Sequence, residues 1–212
     1  MAEREGAVVG VSGRVSRAAS VAGVVLLGVM LAGCGGGVFG SSPTPTFDLT
    51  APKRFPGAGG AARGMLLVNE PTGISILDSD KVMVRSTSGE VSQLPNAQWS
   101  DRLPRLLQAR IIQSFENANR LRAVGRPGDR LTADYQLLTD LRAFQISVGS
   151  EQLSAEVEIA AKVVGDQSGR IVAARVFRAS VPITTSGTEI AALDEAFHRA
   201  VTELVVWAAR SF

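Results

Sequence analysis

The chain has 212 residues, 45% of them hydrophobic and 20% charged, with a formal net charge of +2. That balance belongs to a globular chain with a real core, not a disordered one, and the charge forms no basic stripe of the kind that binds nucleic acid. With a single cysteine and a single histidine, the chain has no intramolecular disulfide and too few ligands for a Cys/His zinc centre.

The first element is an export signal. Arg14 and Arg17 precede an apolar run from Ala18 to Ala32, and the run closes on Leu31-Ala32-Gly33-Cys34. A basic segment, a short apolar stretch and a small-residue cleavage site make a secretory signal. The run is shorter than the roughly 20 apolar residues that span a bilayer. Leu-Ala-Gly-Cys resembles the lipobox of bacterial lipoproteins. That resemblance implies cleavage before Cys34 and acylation of its thiol by a diacylglycerol, with fatty acids of the palmitate kind. A buried structural thiol is the competing reading of a lone cysteine. It fits poorly here, because Cys34 stands between the apolar run and Gly35-Gly36-Gly37. Gly35, rather than an aspartate, follows the cysteine, so the expected location is the outer membrane, on its periplasmic face. The leading 33 residues carry Arg4, Arg14, Arg17, Glu3 and Glu5, so the remainder is close to neutral. No stretch after Cys34 is apolar enough to cross a membrane.

The expected organisation is a signal peptide over 1–33, a lipidated cysteine and flexible tether over 34–46, and one folded domain over 47–212. Gly and Ser keep the tether loose, while Pro43 and Pro45 extend it. At roughly 3.3 Å per residue it reaches up to about 40 Å from the lipid surface. Thr46 to Thr50 reads as a first strand and Pro52 to Gly64 as a loop. Met65 to Val68 and Lys81 to Arg85 are short buried strands, the second pairing with Glu90 to Leu94.

Ser100 to Asn119 has a helical stripe of Leu103, Leu107, Ile111 and Phe115, with Leu106 and Ile112 beside it. Ser100 is the expected N-cap, Pro104 lies in the first turn, and Trp99 is placed to fold back on it. Asp134 to Val148 is a long strand, expected to be bent or bulged. Residues 153–164 and 171–183 form a hairpin around Asp166-Gln167-Ser168-Gly169, and the first of these alternates apolar and polar residues cleanly. A last helix, about Thr188 to Arg210, shows the stripe Leu193, Phe197, Val201, Leu204 and Ala208, with Ser186 and Glu189 at capping-box spacing. These elements predict a two-layer α+β domain, a mainly antiparallel sheet with two long helices packed on one face.

Residues with reactive chemistry are few and scattered. His198 is the only histidine and lies mid-helix beside Phe197, which is the usual setting of a half-exposed helix residue. No Gly-x-Ser-x-Gly elbow and no Walker motif occur. Glu156 and Glu158 share a strand face and have the spacing of a glycosidase pair, but Lys162 beside them favours a solvated face. Arg102, Arg105, Arg110, Arg120 and Arg122 could meet lipid phosphates; pairing with Asp101 and Glu116 is the simpler expectation. No catalytic site, cofactor or metal is expected.

Residues 96–110, Asn-Ala-Gln-Trp-Ser-Asp-Arg-Leu-Pro-Arg-Leu-Leu-Gln-Ala-Arg, resemble a stretch of the ABC-type transport auxiliary lipoprotein family. Phe47-Asp48-Leu49, Lys81 to Arg85, Ser168 to Val172 with Phe177, and Ala192 to Phe197 with Trp207 are similar to further segments of that family. The opening strand departs from it, with Thr46 where an aromatic pair is usual. The resemblance covers about residues 46–208. It implies a non-catalytic part of a lipid transport system, in which an ATPase and a permease work with an MCE (mammalian cell entry-type) protein that forms a conduit across the periplasm. The implied partner is that MCE protein, docked at its outer-membrane end, and exposed sheet edges suit homo-oligomer contacts. The alternative is a structural or assembly lipoprotein of the envelope unrelated to lipid transport.

Overall fold

The computed structural model describes residues 43–57, 64–130, 132–150 and 152–211. Cys34, the signal segment and the tether up to residue 42 lie outside the described residues, as does 58–63 of the early loop. The elements are β1 (Thr46–Phe47), β2 (Met65–Val68), β3 (Thr72–Gly73), a 3-10 turn (Ser75–Leu77), β4 (Lys81–Arg85), β5 (Val91–Trp99), α1 (Leu103–Ala118), β6 (Ala123–Gly125), β7 (Tyr135–Val148), β8 (Leu153–Gly165), β9 (Ile171–Ile183) and α2 (Glu189–Ala208). They build the expected α+β architecture, with nine strands in one sheet and both helices sharing one core with it.

β7 organises the sheet. One of its edges pairs antiparallel with β8 along the whole strand, and β8 pairs antiparallel with β9. Its other edge takes three short parallel strands in succession: β2 beside Tyr135 to Leu137, β3 beside Asp140 and Leu141, β4 beside Gln145 to Ser147. β5 then pairs antiparallel with β4, β1 parallel with β5, and β6 parallel with β2. The long ladders are antiparallel, as the alternation predicts. The two- to five-residue parallel strands are a structural addition that pattern alone cannot resolve.

The expected irregularity in β7 is a bulge at Arg142. Leu141 pairs with Ile159 and Ala143 with Glu158, so Arg142 has no partner opposite. A strand alternates its side chains with period two, and one extra residue reverses the phase. Leu137, Thr139 and Leu141 are buried before the bulge; Phe144 and Ile146 are buried after it. The phase change delivers Phe144 to the aromatic centre of the core, edge-on to Trp99 at 5.7 Å and tilted on Phe197 at 6.3 Å between centroids.

α1 buries Leu103, Leu106, Leu107, Ile111 and Phe115, and α2 buries the whole predicted stripe. Both caps differ from expectation. α1 starts at Leu103 with Arg102 as N-cap and no side-chain cap bond. Ser100 is not the cap: it continues from β5, its N–H donating to the Phe47 carbonyl at 2.7 Å. Trp99 belongs to β5, and its ring packs edge-on against Phe144. In α2 the N-cap is Thr188, without a side-chain cap bond, and Glu189 accepts from the Gly187 N–H at 3.2 Å. The left-handed conformation expected where helices end is present at the α1 C-cap, Asn119, with φ of 50°.

Phe144→Ala is expected to cost about 3–5 kcal/mol, the range for a large side chain removed from a packed core. Leu138→Ala, on the opposite face of the same strand and 39% exposed, is expected to change stability by only about 0.5 kcal/mol. Chemical denaturation of the two variants measures the contrast.

Candidate functional site

Two surfaces gather the polar side chains singled out in the sequence. The first is a strap, residues 48–57, laid over the helix layer. Leu49 and Ala51 of this segment are buried, and Phe55 packs against the core. Both helices bind it. Arg110 of α1 pairs with Asp48, Asn117 Nδ2 donates to the Pro52 carbonyl at 2.9 Å, and Arg120 Nη2 donates to the Pro56 carbonyl at 2.6 Å.

From α2, Asp194 accepts from the Thr50 N–H at 2.8 Å and from its hydroxyl at 2.7 Å. His198 Nε2 lies 2.9 Å from the Thr50 carbonyl and 2.7 Å from its hydroxyl. The carbonyl only accepts and the Thr50 hydroxyl already donates to Asp194. Nε2 therefore carries the proton and donates. His198 is thus a clasp residue, with Asp194 one helical turn before it. Sequence reasoning missed this because Thr50 is 148 residues away.

The expected helix-surface pairing of the arginines is only part of the arrangement. Arg105 pairs with Asp101 at 3.3 Å, whereas Arg102 reaches across to Asp78 and to Glu70. The residues that carry the family-like motif are structural. The Gln108 side chain, buried in the core, donates to the Val68 carbonyl at 2.9 Å, where β2 ends. The Leu103 N–H donates to the Ser79 carbonyl at 2.9 Å. Trp207 packs edge-on against Phe177, with centroids 5.4 Å apart.

The second surface is the face of the sheet away from the helices, and the sequence leads to the expectation that it is uniformly polar. Register divides it in two. Around the β7 bulge it is charged: Arg178 donates to Glu158 at 2.9 Å, and Arg142 lies 3.5 Å from Glu158 and 3.3 Å from Asp140. The hydrogen bond from Arg178, backed by the charges of Arg178 and Arg142, holds the Glu158 carboxyl below the usual carboxylate range against partial desolvation. Glu156 lies next to it, its carboxylate 3.5 Å from the Ser154 hydroxyl. Glu158 is therefore the node of an ion-pair network, and the two glutamates do not form a matched acid–base pair.

Toward the other end of the face the cross-strand rows are Leu138–Lys162–Ala174, Asp140–Ala160–Val176 and Gln136–Val164–Ile171. This half is largely apolar. Among the described residues no group of His, Cys, Asp and Glu is arranged to hold a metal ion, and no helix is long and apolar enough to cross a membrane.

The described domain is thus an α+β fold with a strapped helix layer and an outer sheet face divided into a charged and an apolar half. Residues 47–206 match the ABC-type transport auxiliary lipoprotein component family, and the chain belongs to that family. Protein bll6063 of Bradyrhizobium diazoefficiens is 34% identical over 164 residues, which cover 76% of this chain and 44% of that one. The chain thus spans less than half the length of this relative. The crystal structure of protein XCC0632 from Xanthomonas campestris is similar with a TM-score of 0.71 and 28% identity, covering 79% of this chain and 96% of that one. A second crystal structure, at 13% identity and a TM-score of 0.55 over 78% and 95% of the two chains, shares the fold.

Two outcomes test this geometry. A lowered carboxylate stabilises the fold above the pKa of the unfolded chain, and the stabilisation is lost as pH falls through the folded value. Glu158→Gln is therefore expected to be less stable than the parent at neutral pH, the difference closing in acid; paired denaturation curves at the two pH values check it. Asp194→Ala removes the acceptor of the Thr50 N–H, and faster amide hydrogen exchange at Thr50 is expected, with the β8–β9 hairpin unchanged.

Proposed function

We propose that this chain is a non-catalytic outer-membrane lipoprotein of an ABC/MCE-type lipid transport system. In this reading acylated Cys34 holds it to the periplasmic face, and the folded domain docks the MCE protein that crosses the periplasm. The observation that carries the reading is the family match across residues 47–206, with Leu31-Ala32-Gly33-Cys34 ahead of it at the end of an apolar run. Membership makes the protein an auxiliary component of ABC-type transport and a lipoprotein; the choice of membrane, of lipid cargo and of an MCE partner is the proposal.

The strap supports it. A chain arriving from a lipid anchor meets the domain at Thr46, paired beside Gln98, and is then held by both helices before β2 begins. The domain is thereby attached through ten residues rather than at a single point. The edge of β9 away from β8 carries no strand among the described residues, which suits homo-oligomer contacts or strand addition. In the Bradyrhizobium relative the matched region is less than half of a longer chain, so a similar segment also occurs joined to further polypeptide.

Cys34→Ala is expected to leave the chain unprocessed or released from the membrane, since an acyl anchor supplies the binding that the domain lacks. Membrane fractionation and the mass of the mature N-terminus read this out. Normal processing and normal fractionation of the variant would rule the anchor out. Deletion of the gene is expected to impair the outer-membrane barrier while the ATPase of the transporter keeps its activity.

A further inference from the structure

The apolar half of the outer sheet face lies outside the core cluster. Its side chains point away from the core that β7, β8 and β9 share with the helices. Ile171 is 58% exposed, Val172 49% and Leu138 39%. A groove of about 520 Å3 opens there, with Leu138 and Ala160 on its floor and Asn69, Glu70 and Thr72 along one wall. Ile74, two residues beyond Thr72, is 58% exposed as well. Exposed apolar side chains gathered beside a groove are the kind of surface that marks an interaction site.

Charge defines what fits. Lys162 stands in the middle of the patch, between Leu138 on β7 and Ala174 on β9. The acidic residues of the groove are already committed: Asp140 to Arg142 at 3.3 Å and Glu70 to Arg102 at 3.3 Å. Among the described residues no carboxylate pairs with Lys162. The patch therefore presents one unmatched cation set in apolar surface. A two-fold contact between copies whose axis passed beside Lys162 would bring it close to its own image, and like charges across an interface cost several kcal/mol. The surroundings have the layout of a protein interface, an apolar centre with a polar rim. The Glu158–Arg178 network borders the patch on one side and Asn69 with Gln136 on the other.

We propose that this patch is the surface that receives the MCE-type partner, through a polypeptide segment in which apolar side chains surround a carboxylate that pairs with Lys162. The proposal rests on the docking role given above and adds its location and chemistry. An exposed lysine on a strand face is dispensable for folding, so its charge can be reversed without removing core contacts.

The test uses the full lipidated chain in its own envelope with mild crosslinking, and it reads recovery of the MCE-type protein. Lys162→Glu is expected to lower recovery roughly tenfold or more, the size of a like-charge clash at an interface, with an unchanged thermal melt. Glu156→Lys, in the charged half, is expected to leave recovery within about twofold. A photo-crosslinking side chain in place of Leu138 is expected to join the MCE-type protein. Full recovery with Lys162→Glu overturns this surface and leaves the docking role standing. An adduct from position 138 to a second copy of the chain, or to lipid, overturns it as well. Failure of the parent chain to recover the MCE-type protein overturns the docking role and the surface together.

Discussion

The hydrogen-bonding demand of β7 shapes everything around it. A strand of 14 residues at the centre of a sheet exposes backbone donors and acceptors on two edges, and buried ones must be paired. The β8 ladder satisfies one edge. The other is satisfied piecewise by β2, β3 and β4, which the chain lays down before β7 is made. The bulge at Arg142 is the second half of the constraint. Without that residue, Leu137 and Leu141 could face the core or Phe144 and Ile146 could, but not both pairs. One inserted residue joins the Leu137 end of the core to the Trp99–Phe144–Phe197 cluster. It also places Arg142 on the outer face between Asp140 and Glu158, where it marks the border between the charged and the apolar half.

The strap shows how the segment before β2 is held to the rest of the domain. Its ion pair, Asp48 with Arg110, is partly exposed, and such pairs contribute little alone. Burial of Leu49, 1% exposed, contributes more, about 1.5–3 kcal/mol for a side chain of this size. The polar contacts then set register: Asp194 and His198 read the N–H, the hydroxyl and the carbonyl of one residue, Thr50. The clasp residues lie on α2, Arg110 and Asn117 on α1 and Arg120 just beyond its end, so the N-terminal segment is held by both helices at once.

How much of this was legible in the sequence depended on the length of each signal. The two helical stripes and the 153–183 hairpin repeat over many residues, and the structure has them with nearly the predicted limits. The β7 bulge was anticipated because a strand of that length rarely runs straight. Strands of two or three residues such as β3 and β6 carry no periodicity, and although β1, β2 and β4 read as strands, their parallel partners lie far away in sequence, so the pairing of this half of the sheet is not legible. The helix caps were misread for a related reason. Ser100 and Ser186 have the right chemistry and spacing, but β5 carries on through Trp99 and claims the Ser100 N–H for Phe47. Among the site residues, Glu158 and Lys162 were placed on one face by alternation. Their different circumstances, one paired twice and the other unpaired, follow from where β7 and β9 set Arg142 and Arg178.

The residues that make the family recognisable and those of the proposed partner surface are different sets. Trp99, Leu103, Pro104, Leu107 and Gln108 start α1, fill the core and tie the helix to the last carbonyl of β2. They are constrained by packing, where a change of one methylene group is felt. Lys162, Leu138 and Ile171 lie on the exposed outer face, where packing constrains a side chain less. Similarity carried by the first set therefore reports the fold and the class of transport component. In the proposed docking, choice of partner falls to outer-face side chains such as Lys162, Leu138 and Ile171. A domain with this division can keep one architecture while exchanging the chemistry of a single sheet face.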